Sequence, residues 1–204
     1  MSARNDRRGR GKGRRKTRGH RPQREKILVL CQGTKTEPEY FNRFKQLYGL
    51  PHIKVQKEHL DPANLVDKAI TLQKRGGNFA HIYVVVDVDD TSPTDLQRAA
   101  AQCRRQTASG PPLDLVVSNE NFDYWLYAHV IDGRVPAITR KQIQKKLSDD
   151  CHLTGPNGKS LSPDFPVKSW TEAAGRVPQH GFGENGANPS TAVPEMLKRL
   201  APPL

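Results

Sequence analysis

The chain has 204 residues, enough for one ordinary domain with its own core, and its 33 Lys and Arg against 21 Asp and Glu give a formal net charge of +12. Its longest apolar run, residues 82–86, is too short to span a membrane, and no apolar stretch follows the basic N-terminus, so we predict a cytoplasmic protein without a secretory signal. Its three cysteines are too few and too widely spaced for a disulfide framework or a CxxC zinc site.

The excess of positive charge lies at the N-terminus. Residues 1–26 contain twelve of the Lys and Arg side chains and two acids, a charge of +10, without apolar periodicity. This composition predicts a disordered basic arm that binds nucleic-acid phosphates. The arginines expected to make these contacts are Arg7, Arg8, Arg14, Arg15 and Arg18. The alternative is a solubilising tail without a specific partner.

Residues 27–135 show the alternation expected of an α/β core. Short apolar runs predict strands, and each run is followed by apolar residues at helical spacing. The predicted strands are 27–31, 53–55, 82–86 and 113–117. This order predicts an α/β fold with a mostly parallel sheet flanked by helices.

Residues 136–204 are harder to assign and are predicted to form a helical and loop-rich C-terminal extension that packs on the core. Its predicted helices are 138–147, 170–176 and 188–200. The Gly-, Pro- and Ser-rich segments 151–168 and 177–189 are predicted to be loops.

Polar side chains follow three of the predicted strands, and ligands of open parallel sheets bind at the carboxyl ends of strands. Asp87 and Asp89 are two residues apart on an extended chain and therefore point to the same side. Two carboxylates placed in this way favour a bound cation such as Mg²⁺. The alternative is that Asp89 and Asp90 cap the following helix.

The turn after the first strand is predicted to bind phosphate. Gly33, Lys35 and Thr36 lie where a helix begins, so backbone N–H groups and the Lys35 ammonium would face a phosphate. The upstream glycine of a P-loop is absent from the sequence. An ordinary strand-to-helix turn is the alternative.

Four segments resemble, in the same order, the motifs of RloB-like proteins. They are QGTKTEPEYF at 32–41, VVDVDD at 85–90, SNENFDYWL at 118–126 and NPST at 188–191. The resemblance extends from about residue 27 to residue 200. It implies a Toprim-related fold, Mg²⁺ bound by a strand-end glutamate and a DxD pair, a nuclease activity in antiphage defence, and an AAA-type ATPase partner.

The resemblance also implies the roles of particular residues. Catalytic positions would be Gln32, Glu37, Asp87, Asp89 and Asp123. Metal ligands, Mg²⁺ or Mn²⁺, would be Asp87, Asp89 and Asp90. The chain departs from the family at Gln32, which replaces a glutamate, at Asp123, which also replaces a glutamate, and at Glu120, which replaces a proline.

Gln32 leaves two functions open. An amide does not accept a proton at neutral pH, so either Glu37 or Asp123 takes that role, or the protein binds without efficient cutting. The first hypothesis is a Mg²⁺-dependent endonuclease acting on RNA, including tRNA, or on DNA. The second is a module that binds nucleic acid or the ATPase partner. We expect Gln32→Glu to raise cleavage, unless Gln32 is a structural turn residue whose amide bonds to nearby backbone.

Overall fold

The computed structural model describes residues 25–88, 91–155 and 158–201. The predicted arm contacts, and also Asp89 and Asp90, therefore lie outside the described residues. The strands are β1 (Lys26–Cys31), β2 (Ile53–Lys57), β3 (Phe79–Asp87), β4 (Leu113–Asn119), β5 (Leu153–Thr154), β6 (Ser160–Leu161) and β7 (Ser190–Thr191). The α-helices are α1 (Thr36–Leu47), α2 (Pro62–Leu72), α3 (Pro93–Ser109), α4 (Asp123–Val130), α5 (Arg140–Asp149), α6 (Trp170–Arg176) and α7 (Val193–Leu200). None of these helices is long and apolar enough to cross a membrane.

Five strands form the central sheet in the order β2-β1-β3-β4-β7. The first four are mutually parallel, and β7 runs antiparallel to β4. The predicted α/β class with a mostly parallel sheet flanked by helices is therefore confirmed.

Both faces of the sheet are covered, because strand side chains alternate between two apolar layers. Along β1, Val29 and Cys31 enter the layer built with α1 and with helices α4 to α7. Leu28 and Leu30 enter the opposite layer, which is built with α2 and α3. A strand that is buried on both faces must be apolar at every position, which is why β1 was recognisable from its sequence.

The connections create a crevice at the carboxyl edge of the sheet. The chain passes from β1 to β2 through α1 on one face, and then from β2 to β3 through α2 on the other face. Because β2 and β3 lie on opposite sides of β1, the chain reverses its direction across the sheet between β1 and β3. Ligands of doubly wound sheets bind at such a switch point.

The C-terminal extension departs from its predicted assignment in two places. The segment predicted as a loop at 151–168 contains the antiparallel hairpin of β5 and β6. The last helix begins at Val193 and not at 188, because Ser190 and Thr191 pair with the end of β4 instead. Thr191 is further held by a 2.9 Å hydrogen bond between its hydroxyl and that of Ser118.

Aromatic side chains fill the core rather than the surface. Phe41, Phe122 and Trp125 are buried, and Trp170 also lies in the core although predicted loops flank its helix. Trp170 is fixed there because its indole N–H donates to the Tyr48 hydroxyl at 2.8 Å.

A buried histidine joins α4 to α1. His129 Nδ1 donates to the Trp125 carbonyl oxygen at 2.9 Å, and Nε2 lies 3.1 Å from the Tyr40 hydroxyl, from which it accepts. Burial lowers the pKa of His129 to about 4. The imidazole is therefore neutral at physiological pH, as this donor and acceptor pattern requires.

Candidate active site

A cleft of about 490 Å³ opens at the carboxyl edge of the sheet, over the switch point. Its lining includes four of the five residues predicted as catalytic, namely Gln32, Glu37, Asp87 and Asp123. The three predicted phosphate-binding residues Gly33, Lys35 and Thr36 line the same cleft. The structure thus brings the ends of β1, β3 and β4 together around one space.

Gln32 connects three segments at the floor of the cleft. Its backbone N–H donates to the Val85 carbonyl oxygen at 2.9 Å, which continues the pairing of β1 with β3. Its side-chain Oε1 accepts from the Asp87 N–H at 3.1 Å, and its Nε2 donates to the Leu60 carbonyl oxygen at 3.2 Å. A carboxylate could replace only the first of these two side-chain bonds, because it has no hydrogen to donate.

Two carboxylates lie beside Gln32. Glu37 is buried, and its side chain packs so closely over Gly33 that a Cβ at position 33 would lie 1.9 Å from Glu37 Oε1. Only glycine therefore fits at position 33 without a shift of the glutamate. Burial raises the pKa of the Cys31 thiol well above its usual range, and the negative charges of Glu37 and Asp87 raise it further. Both carboxylates thus lie within electrostatic reach of the same thiol at the end of β1.

The end of β4 supplies an amide and a third carboxylate. The Asn121 Oδ1 accepts from the Asp123 N–H at 3.0 Å, and the Asp123 Oδ2 accepts from Gln144 Nε2 of α5 at 2.8 Å. Asn121 is almost completely buried, and its Nδ2 has no hydrogen-bond acceptor within the described part of the chain. The neighbouring β3 end is tied to this turn because Val88 N–H donates to the carbonyl oxygens of Ser118 and Glu120.

The turn between β1 and α1 is held from both sides. Lys57 Nζ donates to the Thr34 carbonyl oxygen at 2.9 Å, and the Thr36 hydroxyl donates to the Lys159 carbonyl oxygen at 3.3 Å. The Lys35 side chain is exposed at the rim of the cleft. Of the predicted phosphate-binding residues, Lys35 is thus the one whose side chain projects to the solvent, while the Thr36 hydroxyl holds the β5–β6 hairpin.

The donor atoms of the cleft suit a hard divalent cation. Mg²⁺ is usually bound through one or two carboxylates, with water and substrate phosphate oxygens completing its shell, and Glu37 and Asp87 provide two carboxylates in the lining of the same cleft. Cys31 is not among the residues that line the cleft, and burial raises the pKa of its thiol. Over residues 25–88, 91–155 and 158–201, no group of three or more His, Cys, Asp or Glu side chains is arranged to hold a metal ion. The predicted ligands Asp89 and Asp90 lie outside those residues.

Several residues of the cleft were not found from the sequence. His59 reaches the lining from the loop after β2, because β2 is parallel to β1 and ends at the same edge. The signal was the polar run that follows Val55, which could have been treated like the other strand ends. The C-terminal extension also contributes Arg140, Gln144, Lys145 and Lys159.

The chain is an α/β protein with an open, mostly parallel sheet, with carboxylates at the switch point of this sheet and lysines in the lining of the cleft. Residues 27–200 match the family of RloB-like proteins, and the chain therefore belongs to this family. A comparison with curated proteins found no match, and a comparison with solved structures found none.

Proposed function

We propose that this protein is a Mg²⁺-dependent, Toprim-like endonuclease that cleaves RNA, including tRNA, or DNA. The observation that carries the proposal is the meeting of Glu37, Asp87 and Asp123 in one cleft at the switch point, with Lys35 at its rim. Phosphodiester cleavage requires that the attacking oxygen, the leaving oxygen and the phosphate charge are all stabilised. Grouped carboxylates and a lysine at the rim suit this requirement.

The side chains divide these tasks according to their positions. Asp87, together with Asp89 and Asp90, would hold the divalent ion, which supplies Lewis-acid polarisation of the phosphate when bound. Glu37 or Asp123 would take the proton of the attacking water, because Gln32 cannot. Lys35 would lie against the phosphate and offset part of its charge.

A second function is favoured by the bonding of Gln32. Its amide uses both side-chain atoms to hold the Asp87 and Leu60 backbone, so the residue has the role of a structural support. A chain with such a support in place of a glutamate could keep the cleft but cleave slowly. It would then act as a module that binds nucleic acid or a partner ATPase.

The resemblance to RloB-like motifs extends the proposal to the cellular role. An AAA-type ATPase would act as partner, and the nuclease would serve antiphage defence. Co-purification of the full chain with the product of a neighbouring ATPase gene, and protection of cells against phage that is lost with Asp87→Asn, would test this part.

Cleavage by the Asp87→Asn variant tests the function itself. The asparagine keeps the backbone bond to Gln32 and removes one negative charge, so the fold should remain intact. We expect cleavage of a panel of tRNAs and single-stranded DNA in Mg²⁺ or Mn²⁺ to fall by at least about 10²-fold. The matched control is Asp132→Asn, the same change at an exposed site outside the cleft lining.

The two functions predict different outcomes in this assay. Cleavage by the natural chain that survives Asp87→Asn would contradict the proposed metal site. Absence of cleavage by the natural chain in both metals, with nucleic-acid binding retained, would reject the nuclease and favour the binding module.

A further inference from the structure

We propose that the C-terminal extension forms a phosphate-binding wall that holds the nucleic-acid backbone against the carboxylates of the cleft. This inference deepens the proposed function, since it takes nucleic acid as the ligand. The wall consists of one face of α5 and of the β5–β6 hairpin. Its basic residues include Lys145 and Lys159, and Lys35 lies at the same rim on the core side.

The face of α5 that lines the cleft is set by helical geometry. Arg140, Gln144 and Ser148 recur at four-residue spacing and therefore lie on one side of the helix. Ile143 and Leu147 occupy another side and are buried in the core. The polar side of α5 thus faces the cleft because its apolar side is fixed by packing.

The hairpin is held at a defined distance from the cleft by α1. The Arg43 guanidinium donates to the carbonyl oxygens of Leu161, at 2.8 Å, and of Ser162. In return, Leu161 N–H donates to Glu39 Oε2 at 2.8 Å. These bonds fix β6, the strand next to Lys159, so that this lining residue is attached to an ordered backbone.

The lysines of the rim have no strong competing partners. Among the described residues, no ion pair involves the side chains of Lys35 or Lys159. Lys145 pairs with Asp149 at 2.5 Å, but both side chains are mostly exposed, and exposed pairs contribute little free energy. A phosphate could therefore replace Asp149 as the partner of Lys145 at small cost.

The lining favours recognition of the backbone over recognition of bases. Proteins that read single-stranded bases present aromatic rings on which bases stack. The described lining contains no Trp or Tyr, and its one Phe, Phe122, is only 2 % exposed because it is part of the core; the other ring in the lining is the smaller imidazole of His59. Contacts made by lysines to phosphates carry no sequence information, so the wall should accept strands of any sequence.

Salt-dependent binding of the full-length chain tests the wall without requiring cleavage. The variants are Lys145→Gln, Lys159→Gln and the double substitution, and the control is Lys146→Gln, an exposed lysine on another side of the same helix and outside the cleft lining. The probes are a 20-nucleotide oligo-dT, a mixed-sequence strand of the same length, and its duplex, all in EDTA. Each wall lysine should reduce the slope of log K against log salt by roughly 0.7 on single strands or 0.9 on the duplex.

The outcomes separate the wall from the nuclease. We expect reduced slopes for both wall variants, an unchanged slope for Lys146→Gln, and less than a tenfold difference between oligo-dT and the mixed strand. Slopes equal to that of the natural chain, or an equal reduction in Lys146→Gln, would overturn the wall. A preference above tenfold for one sequence would overturn backbone recognition. Reduced slopes in a chain that cleaves nothing would leave the wall standing and reject only the nuclease.

Discussion

The substitution Gln32→Glu places a carboxylate where we propose a divalent cation. It keeps the acceptor for the Asp87 N–H but removes the donor to the Leu60 carbonyl oxygen. It also adds a negative charge beside Asp87 and Glu37, which already act together on the Cys31 thiol. Without a cation, the three charges should repel one another and destabilise the fold.

The size of this effect follows from the bonds and charges involved. The hydrogen bond from Gln32 Nε2 to the Leu60 carbonyl oxygen is exposed to solvent, and its loss should cost about 1 kcal/mol. Repulsion between two like charges about 8 Å apart should add about 2 kcal/mol at an effective dielectric constant of about 20. A total of about 3 kcal/mol corresponds to a fall in Tm of roughly 6 to 12 °C for a chain of this size.

A divalent cation should reverse the sign of the charge effect. A carboxylate at position 32 should bind Mg²⁺ or Mn²⁺ more tightly than the amide does, and ligand at 100 times its Kd stabilises the fold by about 2.7 kcal/mol. Thermal unfolding in EDTA and in a Mg²⁺ series measures this gain directly, and single-turnover cleavage should rise by up to about 10²-fold. Gln32→Ala is the control, because it loses both side-chain bonds but gains no charge. If Mg²⁺ stabilises Gln32→Glu no more than the natural chain, position 32 does not adjoin a cation site.

Three further predictions concern other parts of the chain. Burial lowers the pKa of His129 to about 4, so the unfolded chain binds more protons than the folded chain below pH 6.5. The free energy of unfolding should therefore fall by up to about 3 kcal/mol from pH 6.5 to pH 4. Urea titrations at a series of pH values should show this fall for the natural chain and lose it in His129→Gln. A thiol reagent should modify Cys151 rapidly and the buried Cys31 and Cys103 only after denaturation; three fast thiols would contradict the packing. Deletion of residues 1–24 should leave the unfolding transition intact but flatten the salt dependence of nucleic-acid binding, whereas an unchanged slope would show that the arm does not contact phosphates.

Most of the core could be predicted because its signals are local. A strand such as β3 is apolar at successive positions because both faces of the sheet are covered. The start of α2 is indicated by its N-cap residue Asp61 and by Pro62 at the first helical position. The two-residue strands β5 and β6 were missed because such short pairs have no periodicity. They exist because distant groups hold their backbone, as Arg43 does across 118 residues to Leu161.

The acidic residues of the candidate site could be predicted from the sequence. Once the strands are parallel, their carboxyl ends meet at one edge, so Glu37, Asp87 and Asp123 could be grouped from the sequence before any contact was known. The role of Gln32 could not be read in this way. Its amide orientation depends on Leu60, which is 28 residues away in the chain and comes close only because β2 lies beside β1.

The sequence by itself determined the order of strands and helices in residues 27–135, the burial of the apolar runs and the edge at which polar side chains gather, because each follows from residue type and spacing along the chain. Only the tertiary structure decided which basic residues face that edge. Lys145 and Lys159 have the same local character as other surface lysines. They line the cleft because α5 packs its apolar side into the core and α1 holds the hairpin. The spacing of residues within α5 or within the hairpin does not reveal how these segments pack against distant parts of the chain.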